Sequence, residues 1–185
     1  MKKFIIVSII AVTLVFAACE DEFEPGGTAM QEMAGDWWVT YQNSLEEYEY
    51  LFYNEGEMPS ESTIDNWTWG YIYDDTHSRL TISNTALNTE DTLLITDNGA
   101  YWDFKVKAHA DLATKTFEIG KTKNLAYDSE VKIIGGKILK NAATSPSGRP
   151  VDSLVFYIQF FDDSYGFTYT KVSGFRRTGF PADDF

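Results

Sequence analysis

Ala100-Tyr101-Trp102-Asp103-Phe104-Lys105-Val106-Lys107-Ala108-His109-Ala110 alternates without a break. Trp102, Phe104, Val106, Ala108 and Ala110 fall on one side, and Tyr101, Asp103, Lys105, Lys107 and His109 on the other. A two-residue period is that of a strand with one buried and one wet face. Asn98-Gly99 just ahead suits a type I′ hairpin turn, which needs positive φ at both central positions. Residues 92–96 are then the incoming strand. Working outward, further strands are expected at 36–42, 48–53, 66–73, 79–83, 114–119, 130–134, 137–142, 153–161 and 166–173, all rich in β-branched and aromatic residues. Turn chemistry separates them at Asp74-Asp75, Gly135-Gly136, Ser145-Pro146-Ser147-Gly148-Arg149-Pro150 and Asp162-Asp163. One segment, 41–54, reads two ways, because Leu45-Glu46-Glu47-Tyr48 also suits a short helix. The domain is all-β, either a sandwich or a barrel.

Ahead of this domain, Lys2 and Lys3 precede an apolar run from Phe4 to Ala18, broken only by Ser8 and Thr13. That run is shorter than the ~20 residues of a membrane-spanning helix and reads as a secretion signal, 1–18. Phe16-Ala17-Ala18-Cys19 resembles the bacterial lipobox, which makes Cys19 the expected lipidation site and mature N-terminus. Acylation would anchor the protein to a membrane without a spanning segment. Residues 19–32, with Glu20-Asp21-Glu22-Phe23-Glu24 and Pro25-Gly26-Gly27, read as an acidic tether, and 33–185 as the single folded domain. The acidic cluster resembles the surface-export signal of Bacteroidetes lipoproteins, and a charged spacer explains it equally well. The expected location is the cell envelope, as an outer-membrane lipoprotein.

The formal charge of −13 becomes −15 once the two leader lysines are removed. Such a surface disfavours nucleic acid and anionic membrane surfaces. Cys19 is the only cysteine, so stability must come from burial, for which 13 Phe, 11 Tyr and 5 Trp supply the material. The domain is expected to act as a monomer.

Two ends of the domain choose barrel over sandwich. Gly35-Asp36-Trp37-Trp38 opens the first strand, and Gly174-Phe175-Arg176-Arg177-Thr178-Gly179-Phe180 closes the last. This pairing resembles lipocalin-like (calycin) barrels, in which a Gly-x-Trp of the first strand meets a basic residue of the last. A closed up-and-down barrel places those strands side by side, and a guanidinium over an indole gains cation–π attraction. Gly35, Trp37 and Arg176 or Arg177 are therefore the expected closure of an antiparallel barrel of about eight strands. The region from about Met33 to Phe180 resembles the Bacteroidetes family of lipid-binding putative hydrolase lipoproteins. The residues carrying that resemblance are Glu24-Pro25-Gly26-Gly27-Thr28-Ala29, Met33-Ala34-Gly35-Asp36-Trp37-Trp38-Val39, Trp102-Asp103-Phe104-Lys105-Val106-Lys107, Gly136-Lys137-Ile138-Leu139 and the Arg-Arg-Thr-Gly-Phe tail. The resemblance implies a barrel with a cavity. For the hydrolase half of the family description no residues can be named.

The sequence holds no Gly-x-Ser-x-Gly, no phosphate-binding Gly-x-x-x-x-Gly-Lys and no His-Glu-x-x-His. His109 falls on a wet strand face and His77 in a turn, so neither marks a triad or a metal site. Paired carboxylates at glycosidase spacing cannot be placed in any pocket from sequence. Neither a cofactor nor a metal is expected. Binding is the stronger reading, with a lipid or other small apolar ligand inside the barrel. Its expected lining is Trp67, Trp69, Tyr71 and Tyr73 on one strand face, Trp102 and Phe104, and Phe156, Ile158 and Phe160. Alternatives are a glycan-binding accessory that uses the 67–73 rings as an exposed platform, a hydrolase of unknown substrate, and a structural component of an envelope complex.

Overall fold

A computed structural model describes residues 27–73 and 75–185. The leader, Cys19 and most of the tether lie outside the described residues. The strands are β1 (Gly35–Ser44), β2 (Trp69–Gly70), β3 (Ser78–Asn84), β4 (Thr92–Thr96), β5 (Lys105–Asp111), β6 (Thr116–Lys123), β7 (Glu130–Thr144), β8 (Pro150–Phe160) and β9 (Thr170–Arg176). Every neighbour pair is antiparallel. Chain-order pairing runs from β3 to β9, β1 joins β3, and β1 also joins β9. These eight strands close into a lipocalin-like barrel. The closing seam is continuous, from Trp37 opposite Arg176 to Asn43 opposite Thr170. At Gly174 a Cβ would lie 1.9 Å from the Trp38 carbonyl oxygen, so only glycine lets the two strands approach this closely.

Alternation sorts the walls. Trp37, Val39 and Tyr41 of β1, Leu80 and Ile82 of β3, Leu93 and Ile95 of β4, and Val106, Ala108 and Ala110 of β5 point inward into one buried cluster. They meet Phe117, Val131, Ile133, Ile138, Leu154, Phe156, Ile158, Phe160 and Val172 from the remaining strands. Met30, within the stretch read as tether, and Met33 are both fully buried in the same cluster. The packed domain therefore begins before residue 33.

Several expected elements differ. Residues 45–53 form helix α1 (Leu45–Tyr53), the second of the two readings of that segment. The Ser44 side chain accepts from the Glu47 N–H at the N-terminus, and Asn54 ends the helix at φ 55°. The strand expected at 66–73 shrinks to the two residues of β2, preceded by a 3-10 turn over Glu61–Asn66. Strands 130–134 and 137–142 are one strand, β7, because Gly135 at φ 62° inserts a bulge that shifts the inward phase from Ile133 to Gly136 and Ile138. The last strand lies further along the chain than the expected 166–173 and thereby carries Arg176 into the seam. Finally, β5 begins only at Lys105, since 97–104 is a loop.

Candidate functional site

The barrel has a sealed end and a mouth. At the sealed end the Arg176 guanidinium carbon sits 4.7 Å from the centroid of the Trp37 indole. Arg176 donates to the carbonyls of Ala34 at 2.7 Å and Glu32 at 2.9 Å, and its Nε lies 3.3 Å from the Asp152 carboxylate. Gly35 leaves room for this: a Cβ there would come within 3.0 Å of the Arg176 Nη1. Of the two candidate arginines, Arg176 therefore roofs the indole. Arg177 faces the outer wall, where it pairs with Asp184 and lies 6.0 Å from the Trp38 ring. Strand parity requires this, because neighbouring residues point to opposite faces.

The mouth is covered by the 97–104 loop. Asp97 is fully buried, and its carboxylate accepts from the N–H groups of Gly99 (3.0 Å), Tyr101 (3.0 Å), Trp102 (2.9 Å) and Phe104 (3.0 Å). Four amides that would otherwise seek ladder partners are thus held by one side chain, which turns an alternating sequence into a lid. The Asn98-Gly99 turn forms with φ of 56° and 72°, but inside this longer connection and not as a two-residue hairpin. Tyr101 stacks on Tyr41 with centroids 4.0 Å apart and planes 6° from parallel, and Trp102 stacks on Phe160 at 4.8 Å. The Trp102 indole donates to the Tyr127 hydroxyl at 3.0 Å, and that hydroxyl donates to Asp162. Asn124, almost fully buried, donates to the Asp103 carbonyl and accepts from the Lys105 N–H, tying the lid to the neighbouring mouth loop.

Of the rings expected to line the interior, Phe104, Phe156, Ile158 and Phe160 do so, and Trp102 lies across the mouth. Trp67, Trp69, Tyr71 and Tyr73 do not: they lie outside the barrel. Trp67 and Trp69 pack with Ile64, Ile134, Tyr157 and Tyr169 in a second cluster on the outer wall of β7, β8 and β9. The Trp67, Trp69 and Tyr157 rings stack face to face, at 5.6 Å and then 5.3 Å. Stacked rings hide their faces from a sugar, and Trp67 is only 7% exposed. Tyr71 is half exposed, and Tyr73 contacts Tyr165 and Phe167 of the β8–β9 loop. Aromatic richness at 66–73 reflects burial against a wall formed by distant strands, a requirement that mimics strand propensity.

Two interior polar groups escaped the sequence reading. The Tyr41 hydroxyl and the Trp37 indole N–H are buried and have no hydrogen-bond partner. Burial pushes the Tyr41 phenol well above its ordinary pKa, and the nearby Asp97 carboxylate pushes it further. Tyr41 is therefore a permanent donor. Two residues along the same inward face, Asn43 donates to the Thr170 hydroxyl at 3.3 Å, so a buried polar pair accompanies Tyr41 at the mouth.

His77 stacks on Phe185 at 3.9 Å on the outer wall, and burial lowers its pKa. His109 faces outward opposite Glu118. It borders a surface groove of about 430 Å³, shared with Asp111, Thr116, Glu118 and Lys137 over the Gly135-Gly136 bulge. That groove is open to water.

The family model described as lipid-binding putative hydrolase matches residues 22–181. No curated protein matches the chain.

Proposed function

The chain belongs to the lipid-binding putative hydrolase family, and on that premise we propose that the barrel holds a single lipid or similar apolar molecule between the Trp37–Arg176 seal and the 97–104 lid. The observation that carries this reading is the lid. In a simple up-and-down barrel a tight turn would join β4 to β5. Here an eight-residue loop instead places Tyr101 and Trp102 over inward-facing Tyr41 and Phe160. Rings stacked on rings can be exchanged for an acyl chain or a planar hydrophobe at little cost in buried apolar area. The positive-φ residues Asn98, Gly99 and Asp103 flank the two rings and supply the hinge about which they swing. Behind them Val39, Leu80, Ile82, Leu93, Ile95, Val106 and Ala108 present apolar side chains towards the seal, which suits a hydrocarbon tail.

The same proposal includes export and anchoring: Cys19, ahead of the described residues, carries the lipid that tethers the protein in the cell envelope, with the barrel acting as a monomer beside the membrane. Native mass spectrometry of the purified protein, followed by solvent extraction, tests the carrier reading. A copurifying lipid, lost when excess competing lipid is added, is the expected result. A protein that stays empty after incubation with fatty acids, acylglycerols and phospholipids overturns it.

A further inference from the structure

Resting on that reading, we infer that the Tyr41 hydroxyl docks a neutral hydrogen-bond acceptor of the lipid, an ester or amide carbonyl or a hydroxyl, and that the barrel disfavours free fatty-acid carboxylates. Tyr41 is 3% exposed, and its hydroxyl is buried with no partner. An unsatisfied donor in an apolar enclosure costs about 1–3 kcal/mol, and native proteins rarely leave one without a water or a ligand to accept from it. Its position fits a head group, because Tyr41 stands under the lid ring of Tyr101, beside the Asn43–Thr170 pair and above the apolar layers.

The sign of the head group follows from Asp97. Its carboxylate is fully buried close to Tyr41, and the charge is neutralised only by backbone amides, not by a cation. A second carboxylate at the Tyr41 hydroxyl would meet that charge across a poorly screened interior. Among the described residues no lysine or arginine turns into this end: Arg176 belongs to the opposite end, Lys105, Lys107 and Lys171 stand on outward positions of their strands, and Lys121, Lys123 and Lys132 pair outside with Glu130, Asp128 and Glu61. An uncharged acceptor takes the hydrogen bond without that repulsion.

The test uses the chain from residue 19 onward with Cys19→Ser and three fluorescent probes: cis-parinaric acid, its methyl ester, and diphenylhexatriene, which has no polar group. At pH 8 the ester is expected to bind about 10-fold tighter than the ionised acid. Tyr41→Phe should weaken the ester about 5–10-fold, the worth of one hydrogen bond, and leave diphenylhexatriene unchanged. In the unsubstituted barrel, acid binding should rise towards that of the ester as falling pH protonates the probe, a readout that does not need the variant to fold. Equal affinity for ester and acid at pH 8 overturns the inference, as does a folded Tyr41→Phe protein that binds the ester normally. If diphenylhexatriene binds while ester and acid behave alike, the carrier reading stands and only this inference falls. If none of the three binds, both fall.

Discussion

Trp37 and Arg176 face each other across the β1–β9 seam, the guanidinium carbon 4.7 Å from the indole centroid. The contact fixes two things together: which strands close the barrel and which end is sealed. It also anchors the chain before β1, since the same guanidinium holds the carbonyls of Glu32 and Ala34 and so keeps Met30 and Met33 plugged beneath the end. Trp37→Ala should therefore cost about 3–5 kcal/mol, the range for a large buried ring removed from a packed core. Arg177→Ala, on the outer wall, should cost far less. Urea denaturation of the two variants side by side checks this, and a comparable loss in both would contradict the division of roles.

Barrel closure also depends on a glycine. Gly174→Ala would push a methyl group against the Trp38 carbonyl, where backbone cannot yield. The expected outcome is a protein destabilised by more than about 3 kcal/mol or unable to fold. Gly120→Ala, which meets nothing within 4 Å, should leave the thermal midpoint nearly unchanged. Circular dichroism melts of both distinguish local crowding from a general intolerance of strand substitutions.

The lid rests on one carboxylate. Asp97→Ala removes the acceptor for four amides and should lower stability by about 2–4 kcal/mol, less than four independent losses because the freed loop can turn those amides to water. Hydrogen exchange should quicken at Gly99, Tyr101, Trp102 and Phe104 while the β1–β9 seam stays protected. Uniform loss of protection would show that the loop is part of the barrel core and not a separable cover.

A pH-sensitive clasp lies on the outside. The Thr178 hydroxyl, followed by Ser147, holds the Asp183 carboxyl below the usual carboxylate range. The Arg177 guanidinium beside Asp184 does the same for that group. A carboxylate whose pKa is lower folded than unfolded adds stability above its unfolded pKa of about 3.9, and that stability is lost as pH falls through the folded value. The C-terminal segment should therefore loosen in acid, exposing Trp38, whose indole donates to Asp184. Asp183→Asn should flatten the acid limb of a stability–pH curve. An unchanged acid limb would show that the clasp contributes nothing there.

Export can be checked apart from binding. Cys19→Ser should move the protein from the membrane to the soluble fraction and remove the mass of a diacylglyceryl group, while lipid binding by the barrel persists. Membrane retention of the variant would place the anchor elsewhere.

Local physics was readable along the chain. The two-residue period over 105–110, the Asn98-Gly99 turn geometry, the inward Phe156, Ile158 and Phe160, and the strand at 92–96 follow from residue order, because alternation and positive φ are properties of neighbouring residues. The complementary ends, Gly35-x-Trp37 and Gly174-x-Arg176, were enough to point to a barrel.

What neighbours cannot specify, only the closed structure decided. Asp97 draws Tyr101 and Trp102 out of a strand they match in pattern, since a buried carboxylate satisfied by four amides outweighs a few ladder bonds. Trp67 and Trp69 cover the outer wall because Tyr157 and Tyr169 offer them a surface about 90 residues or more away in the chain. The partnerless hydroxyl of Tyr41 exists only once eight strands enclose it. Hydrophobic burial and polar satisfaction are settled between residues remote in sequence, so the strand pattern lay in the order of the amino acids, whereas the loop over the mouth, the outer aromatic stack and the enclosed Tyr41 hydroxyl came from closing the barrel.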